Sequence, residues 1–106
     1  MAEPVIIFAT IRPKPEYFTA AKNAIEAILQ DTLAEEGCEI FELYTAAGRS
    51  GTLHLWERFS GEAALNFHYE QPYTKSVFAS YQDWLAEPVH VQRLVASPAP
   101  SSGGEQ

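Results

Sequence analysis

The stretch Val5-Ile6-Ile7-Phe8-Ala9-Thr10-Ile11-Arg12-Pro13-Lys14-Pro15 decides how the rest of the chain is read. Residues 5–12 form a β-branched and aromatic run without polar alternation, and Pro13 and Pro15 stop it abruptly, as expected of a strand covered on both faces. Beyond Pro15 the period changes. Tyr17, Phe18, Ala21, Ala24, Ile25, Ile28 and Leu29 gather on one side at 100° per residue, with Asn23, Glu26 and Gln30 opposite. That spacing predicts an amphipathic helix over 16–33, with Pro15 near its first turn.

Glu35-Glu36-Gly37 ends the helix, and a second strand is expected over 38–46, where Cys38, Ile40, Glu42 and Tyr44 alternate with Glu39, Phe41, Leu43 and Thr45. Residues 47–51 read as a hairpin connection and 52–59 as a third, antiparallel strand. Ser60 is placed to cap a short helix running to Tyr69, and Pro72 breaks it. A further helix with Val77, Phe78, Tyr81 and Leu85 on one side extends to Ala86, and residues 89–96 supply a fourth strand. The order β-α-β-β-α-α-β predicts an α+β, ferredoxin-like domain over 1–97, with helices on one face of a four-stranded antiparallel sheet. Residues 98–106, rich in Ser and Gly, are expected to form a disordered tail. Strands apolar on both faces leave the other side of the sheet uncovered. A second copy is the simplest lid, which predicts a symmetric homodimer.

Composition narrows the function. With 106 residues and 46% hydrophobic content the chain can pack one core, and a formal charge of −7 repels phosphate backbones and anionic membranes. Nucleic acid and membrane partners are therefore not expected. Cys38 is the single cysteine, so no intrachain disulfide is possible, and a cytoplasmic setting is expected. The start lacks a basic region and the longest apolar run, residues 5–9, is too short for a leader or a membrane span, so the chain is expected to be soluble and unprocessed.

Alternation on the third strand sets Leu53, Leu55, Glu57 and Phe59 on one face and Thr52, His54, Trp56 and Arg58 on the other. On the short helix, His68 lies near the middle of the apolar arc formed with Ala64 and Leu65. If that arc faces the sheet, an imidazole and a carboxyl point into the same enclosed space. Two readings stay open: His68 as a core histidine with Glu57 paired to a cation such as Arg12, or a neutral His68, oriented by Glu57, as a proton acceptor. His54 and Trp56 read as dimer-interface groups, His90 as a solvated edge residue, and Glu35-Glu36 as solvated surface. No i, i+4 histidine pair exists and His54 and His68 belong to different layers, so no metal site is expected. Phosphate-cradling glycine loops and a G-x-S-x-G elbow are absent from the sequence.

Three stretches together resemble the antibiotic biosynthesis monooxygenase family, small dimeric α+β-barrel proteins that include quinol monooxygenases. Arg12-Pro13-Lys14-Pro15-Glu16 is similar to that family's strand-to-helix entry, and Glu35-Glu36-Gly37-Cys38-Glu39-Ile40-Phe41-Glu42-Leu43 to its turn and second strand. The most specific is Glu57-Arg58-Phe59 followed by Glu62-Ala63-Ala64-Leu65 and His68, including the eleven-residue step from Glu57 to His68. The resemblance implies a homodimer with one pocket per subunit, and oxidation of a small aromatic hydroquinone or phenol by molecular oxygen with no cofactor: no metal, flavin or haem. Matched residue by residue, the resemblance implies His68 and Glu57 as the polar groups of that pocket and Phe59, Phe41 and Tyr73 as lining groups. The expected roles are His68 as general base and Glu57 as its orienting partner, with Leu55, Leu65, Phe78 and Tyr81 as further substrate-binding residues. Phe59 stands where many members have Trp, Tyr73 where many have a second His, and the first strand lacks the Asn of the haem-degrading branch. The competing functions are a non-catalytic dimeric binding or stress-response protein holding a flat hydrophobic ligand, a haem binder, and an isomerase that needs no oxygen.

Overall fold

The computed structural model describes residues 3–48 and 51–98, so positions 49 and 50 of the hairpin connection and 99–106 of the tail lie outside the described residues. The elements follow the expected order: β1 (Val5–Ile11), α1 (Phe18–Leu33), β2 (Cys38–Thr45), β3 (Leu53–Phe59), α2 (Glu62–Glu70), α3 (Pro72–Trp84) and β4 (His90–Leu94). The strands form one antiparallel sheet in the order β2-β3-β1-β4. The fold is α+β and ferredoxin-like, with α1, α2 and α3 packed on one face of the sheet.

Central placement explains the unbroken apolar run of β1. Val5, Ile7, Ala9 and Ile11 face the helices together with Leu53, Leu55, Glu57 and Phe59 of β3, their neighbours in register. Ile6, Phe8 and Thr10 project from the opposite face beside Arg58, Trp56 and His54. The helices close the first face: α1 contributes buried Ala21, Ile25, Ile28 and Thr32, α2 Leu65 and His68, and α3 Thr74, Val77 and Tyr81.

Local chemistry departs from the sequence expectation at several places, among them the last helix, which stops at Trp84 and leaves Leu85 extended beside Pro13. The first turn of the long helix, Pro15–Tyr17, is a 3₁₀ turn, with proline at its start. Ser60 does not cap α2; Gly61 occupies that position, and the Ser60 N–H instead donates to the Gly37 carbonyl at 2.8 Å. An irregularity between Cys38 and Ile40 sets Cys38 opposite Phe59, on the helix side and out of phase with Ile40, Glu42 and Tyr44. β4 is confined to His90–Leu94, shorter than the expected 89–96.

Gly37 is where the turn after α1 presses against α2. A Cβ there would lie 2.3 Å from the Ala64 Cβ and 2.9 Å from the Ser60 Oγ, closer than atoms can approach. Gly37→Ala is expected to destabilise the fold by about 1–3 kcal/mol, lowering the midpoint of a thermal melt by roughly 4–8 °C for each kcal/mol. An unchanged midpoint would show that this turn is free to move off α2.

Candidate functional site

Between the sheet and the pair α2 and α3 lies a cavity of about 50 Å³. Its floor comes from β1 and β3, through Ile7, Ala9, Ile11, Leu55 and Glu57, and its roof from His68 and Tyr69 of α2 and Thr74, Val77, Phe78 and Tyr81 of α3. Phe41 of β2 and Val91 of β4 close the sides. Apart from Glu57 and His68 the walls are apolar or carry a hydroxyl, and among the described residues no lysine or arginine reaches them. Tyr69 and Phe78 are 36% and 45% exposed, so their rings stand between the cavity and solvent.

His68 is 3% exposed, wedged between the rings of Phe41 and Phe59 at centroid distances of 5.3 and 5.2 Å. An imidazole in such surroundings must have polar partners. Its Nδ1 lies 3.0 Å from Glu35 Oε2 and 3.4 Å from Thr74 Oγ1, and the Tyr73 hydroxyl donates to the same Glu35 oxygen. A carboxylate accepts, so Nδ1 carries the proton, and Nε2 is the nitrogen left for a ligand. Glu35 is itself only 7% exposed.

Glu57 sits in contrasting surroundings. It is 6% exposed, flanked in register by Ile7 of β1 and Phe41 of β2, and none of the described residues hydrogen-bonds its carboxyl. Burial alone pushes its pKa up to about 7, so the group exchanges its proton near neutrality. Burial also raises the Tyr81 hydroxyl, and for Tyr73 it acts together with the bond to Glu35, keeping both phenols protonated.

Of the seven side chains expected to line the pocket, Phe41, Leu55, Phe78 and Tyr81 reach the cavity. Phe59 and Leu65, 0% and 1% exposed, are packed behind its wall, Phe59 against the imidazole. Tyr73 is turned away onto Glu35 and the Asp31 carbonyl. The carboxylate on His68 belongs to Glu35, where Glu57 was the expectation, and the reading of Glu35 as solvated surface is overturned by its burial; only Glu36 is exposed. Glu57 and His68 do share the cavity, and Arg12 pairs with Glu87 outside it. A sequence signal for Glu35 exists. Ala21, Ile25, Ile28 and Thr32 form the buried stripe of α1, and continuing its 4-3-4 spacing by three lands on Glu35. His54 and Trp56 lie on the far face of the sheet, around Phe8, and among the described residues no group of three or more His, Cys, Asp or Glu is arranged to hold a metal ion.

The raised pKa of Glu57 makes its burial pH-dependent. Below its ordinary value of 4.5 the carboxyl is neutral in folded and unfolded chains alike, whereas between 4.5 and about 7 the unfolded chain ionises first. Stability is therefore lost as pH rises through that window, by up to roughly 3 kcal/mol. Glu57→Gln removes this dependence: in urea denaturation at pH 4.5 and pH 8, the variant is expected to gain on the wild type at the higher pH. Parallel behaviour of the two proteins would show that Glu57 ionises as if solvated.

Residues 4–80 match the antibiotic biosynthesis monooxygenase family. Rv0793 of Mycobacterium tuberculosis, provisionally named a monooxygenase, is 33% identical over 94 residues, covering 89% of this chain and 92% of the relative. Its solved structure superposes with a TM-score of 0.85, covering 93% of this chain and all of that one. YcnE of Bacillus subtilis, also provisionally named a monooxygenase, is 28% identical over 88% of this chain and 98% of its own length. PA3566 of Pseudomonas aeruginosa, at 22% identity, shares the fold with a TM-score of 0.85 over 92% of this chain and 98% of that chain. With the buried imidazole of α2 and the carboxyl of β3 both lying inside the matched span, the chain belongs to the antibiotic biosynthesis monooxygenase family.

Proposed function

We propose that this protein is a monooxygenase that oxidises a small aromatic hydroquinone or phenol with molecular oxygen and no cofactor, acting as a homodimer. The observation that carries this reading is the Glu35–His68 pair: a buried imidazole fixed at Nδ1, whose ring also lines an apolar cavity. In that arrangement Nε2 takes the proton of a phenolic O–H, and the resulting imidazolium is matched by the Glu35 carboxylate beside it. The phenolate, electron-rich and shielded from water, passes an electron to oxygen, and recombination forms a carbon–oxygen bond to a ring peroxide, which takes a proton; loss of the ring hydrogen at that carbon then breaks the O–O bond, releasing water and leaving the new carbonyl. The balance closes without an external reductant: one hydroquinone and one oxygen molecule give one hydroxyquinone and one water.

Access requires movement. A void that takes up benzene measures about 150 Å³. The cavity is about 50 Å³, so a ring enters only when the partly exposed Phe78 and Tyr69 swing outward. Dimerisation is supported by the uncovered face of the sheet, where Phe8, Ile40, Trp56 and Leu94 are only half-buried, Tyr44 is 52% exposed, and Phe8 gathers His54 and Trp56 into an aromatic cluster.

On metal-free protein supplied with hydroquinone, an oxygen electrode is expected to record uptake that falls ~100-fold or more in His68→Ala. Glu35→Gln, which keeps the shape and removes the charge, is expected to lose at least ~10-fold. Undiminished uptake in His68→Ala would remove the base from the mechanism, and saturable hydroquinone binding without oxygen uptake would make this a binding protein. In sedimentation experiments the wild type is expected at twice the chain mass and Trp56→Lys at the monomer mass. A monomeric wild type would overturn the dimer.

A further inference from the structure

We infer that Glu57 sets the charge selectivity of the cavity, admitting uncharged dihydroxy-aromatic rings and turning away the same rings once they carry a carboxylate. The inference deepens the proposed function and rests on that reading of the cavity as a ring-binding site. Glu57 enters from the sheet and His68 from the helix layer, so a flat ring lying between floor and roof meets one polar group on each side. The Glu57 carboxyl has no hydrogen-bond partner among the described residues, which leaves its full capacity for a ligand hydroxyl.

An anionic ligand meets the opposite situation. Among the described residues neither lysine nor arginine lines the cavity, and a second carboxylate, that of Glu35, stands directly behind His68. The charge that His68 acquires on taking a proton is already matched by Glu35, so it supplies no free counter-ion. Entry of a carboxylate therefore sets like charges side by side in a dry site, or forces Glu57 to take up a proton. At pH 8 that uptake alone costs about a factor of ten for a group titrating near 7.

The test is anaerobic equilibrium binding at pH 8, by calorimetry on the full chain, of hydroquinone and 2,5-dihydroxybenzoate. These ligands differ by one carboxylate, and the measurement does not depend on turnover. Hydroquinone is expected to bind at least ~10-fold more tightly. Glu57→Gln is expected to narrow that ratio, chiefly by strengthening binding of the carboxylate ligand, whereas Glu57→Asp, which keeps the charge, preserves it. Equal or tighter binding of 2,5-dihydroxybenzoate by the wild type, or an unchanged ratio in Glu57→Gln, would overturn the assignment. Hydroquinone binding that is selective but not followed by oxygen uptake would overturn only the oxidation chemistry, and binding of neither ligand would overturn both.

Discussion

A histidine ring placed between two phenylalanines is untenable without a partner for its nitrogens, and the hydrogen bond from His68 to Glu35 meets that demand. A hydrogen bond to a charged acceptor contributes about 1.5–3 kcal/mol net, but leaving a buried imidazole or carboxylate unpaired costs more than the bond is worth. The pair therefore constrains its surroundings. Thr32 ends the buried stripe of α1 and Glu35 follows in the turn beyond it, the glycine at 37 lets that turn press onto α2, and the first turn of α3 supplies Tyr73 and Thr74 around the same atoms. Three helices and the sheet converge there, so one polar contact fixes how the helical layer sits.

Two buried carboxyls acquire different chemistry from their surroundings alone. Glu35 accepts bonds from an imidazole and a phenol, which suits it to hold a ring in one tautomer. Glu57 is desolvated without compensation, which brings its proton exchange to near neutrality. The sheet meanwhile divides its labour by the alternation of its strands. Inward side chains of β1 and β3 build the cavity, and outward ones present the aromatic surface around Phe8, His54 and Trp56.

Much of this was legible in the residues. The unbroken run of β1, the strict alternation of β3 and the 3.6-residue period of α1 are direct consequences of burial geometry, and all three elements stand where those periods put them. His68 and Glu57 were legible for the same reason, as polar residues on apolar faces. Glu35 was not, because it is one of two adjacent glutamates in a turn, and only its phase relative to Thr32 distinguishes it from exposed Glu36. Phe59, Leu65 and Tyr73 were misplaced for a related reason: an inward direction is shared by a side chain that walls a cavity and one packed behind the wall.

Periodicity along the chain thus determined the class of fold, the order of its elements and which side chains turn inward, since each depends on the geometry of a single helix or strand. Tertiary packing decided which carboxylate reaches the imidazole, which aromatic rings border open space and which glutamate is stripped of water. Those outcomes depend on distances between elements remote in sequence, such as the 3.0 Å separating Glu35 and His68, and no local pattern encodes a distance of that kind.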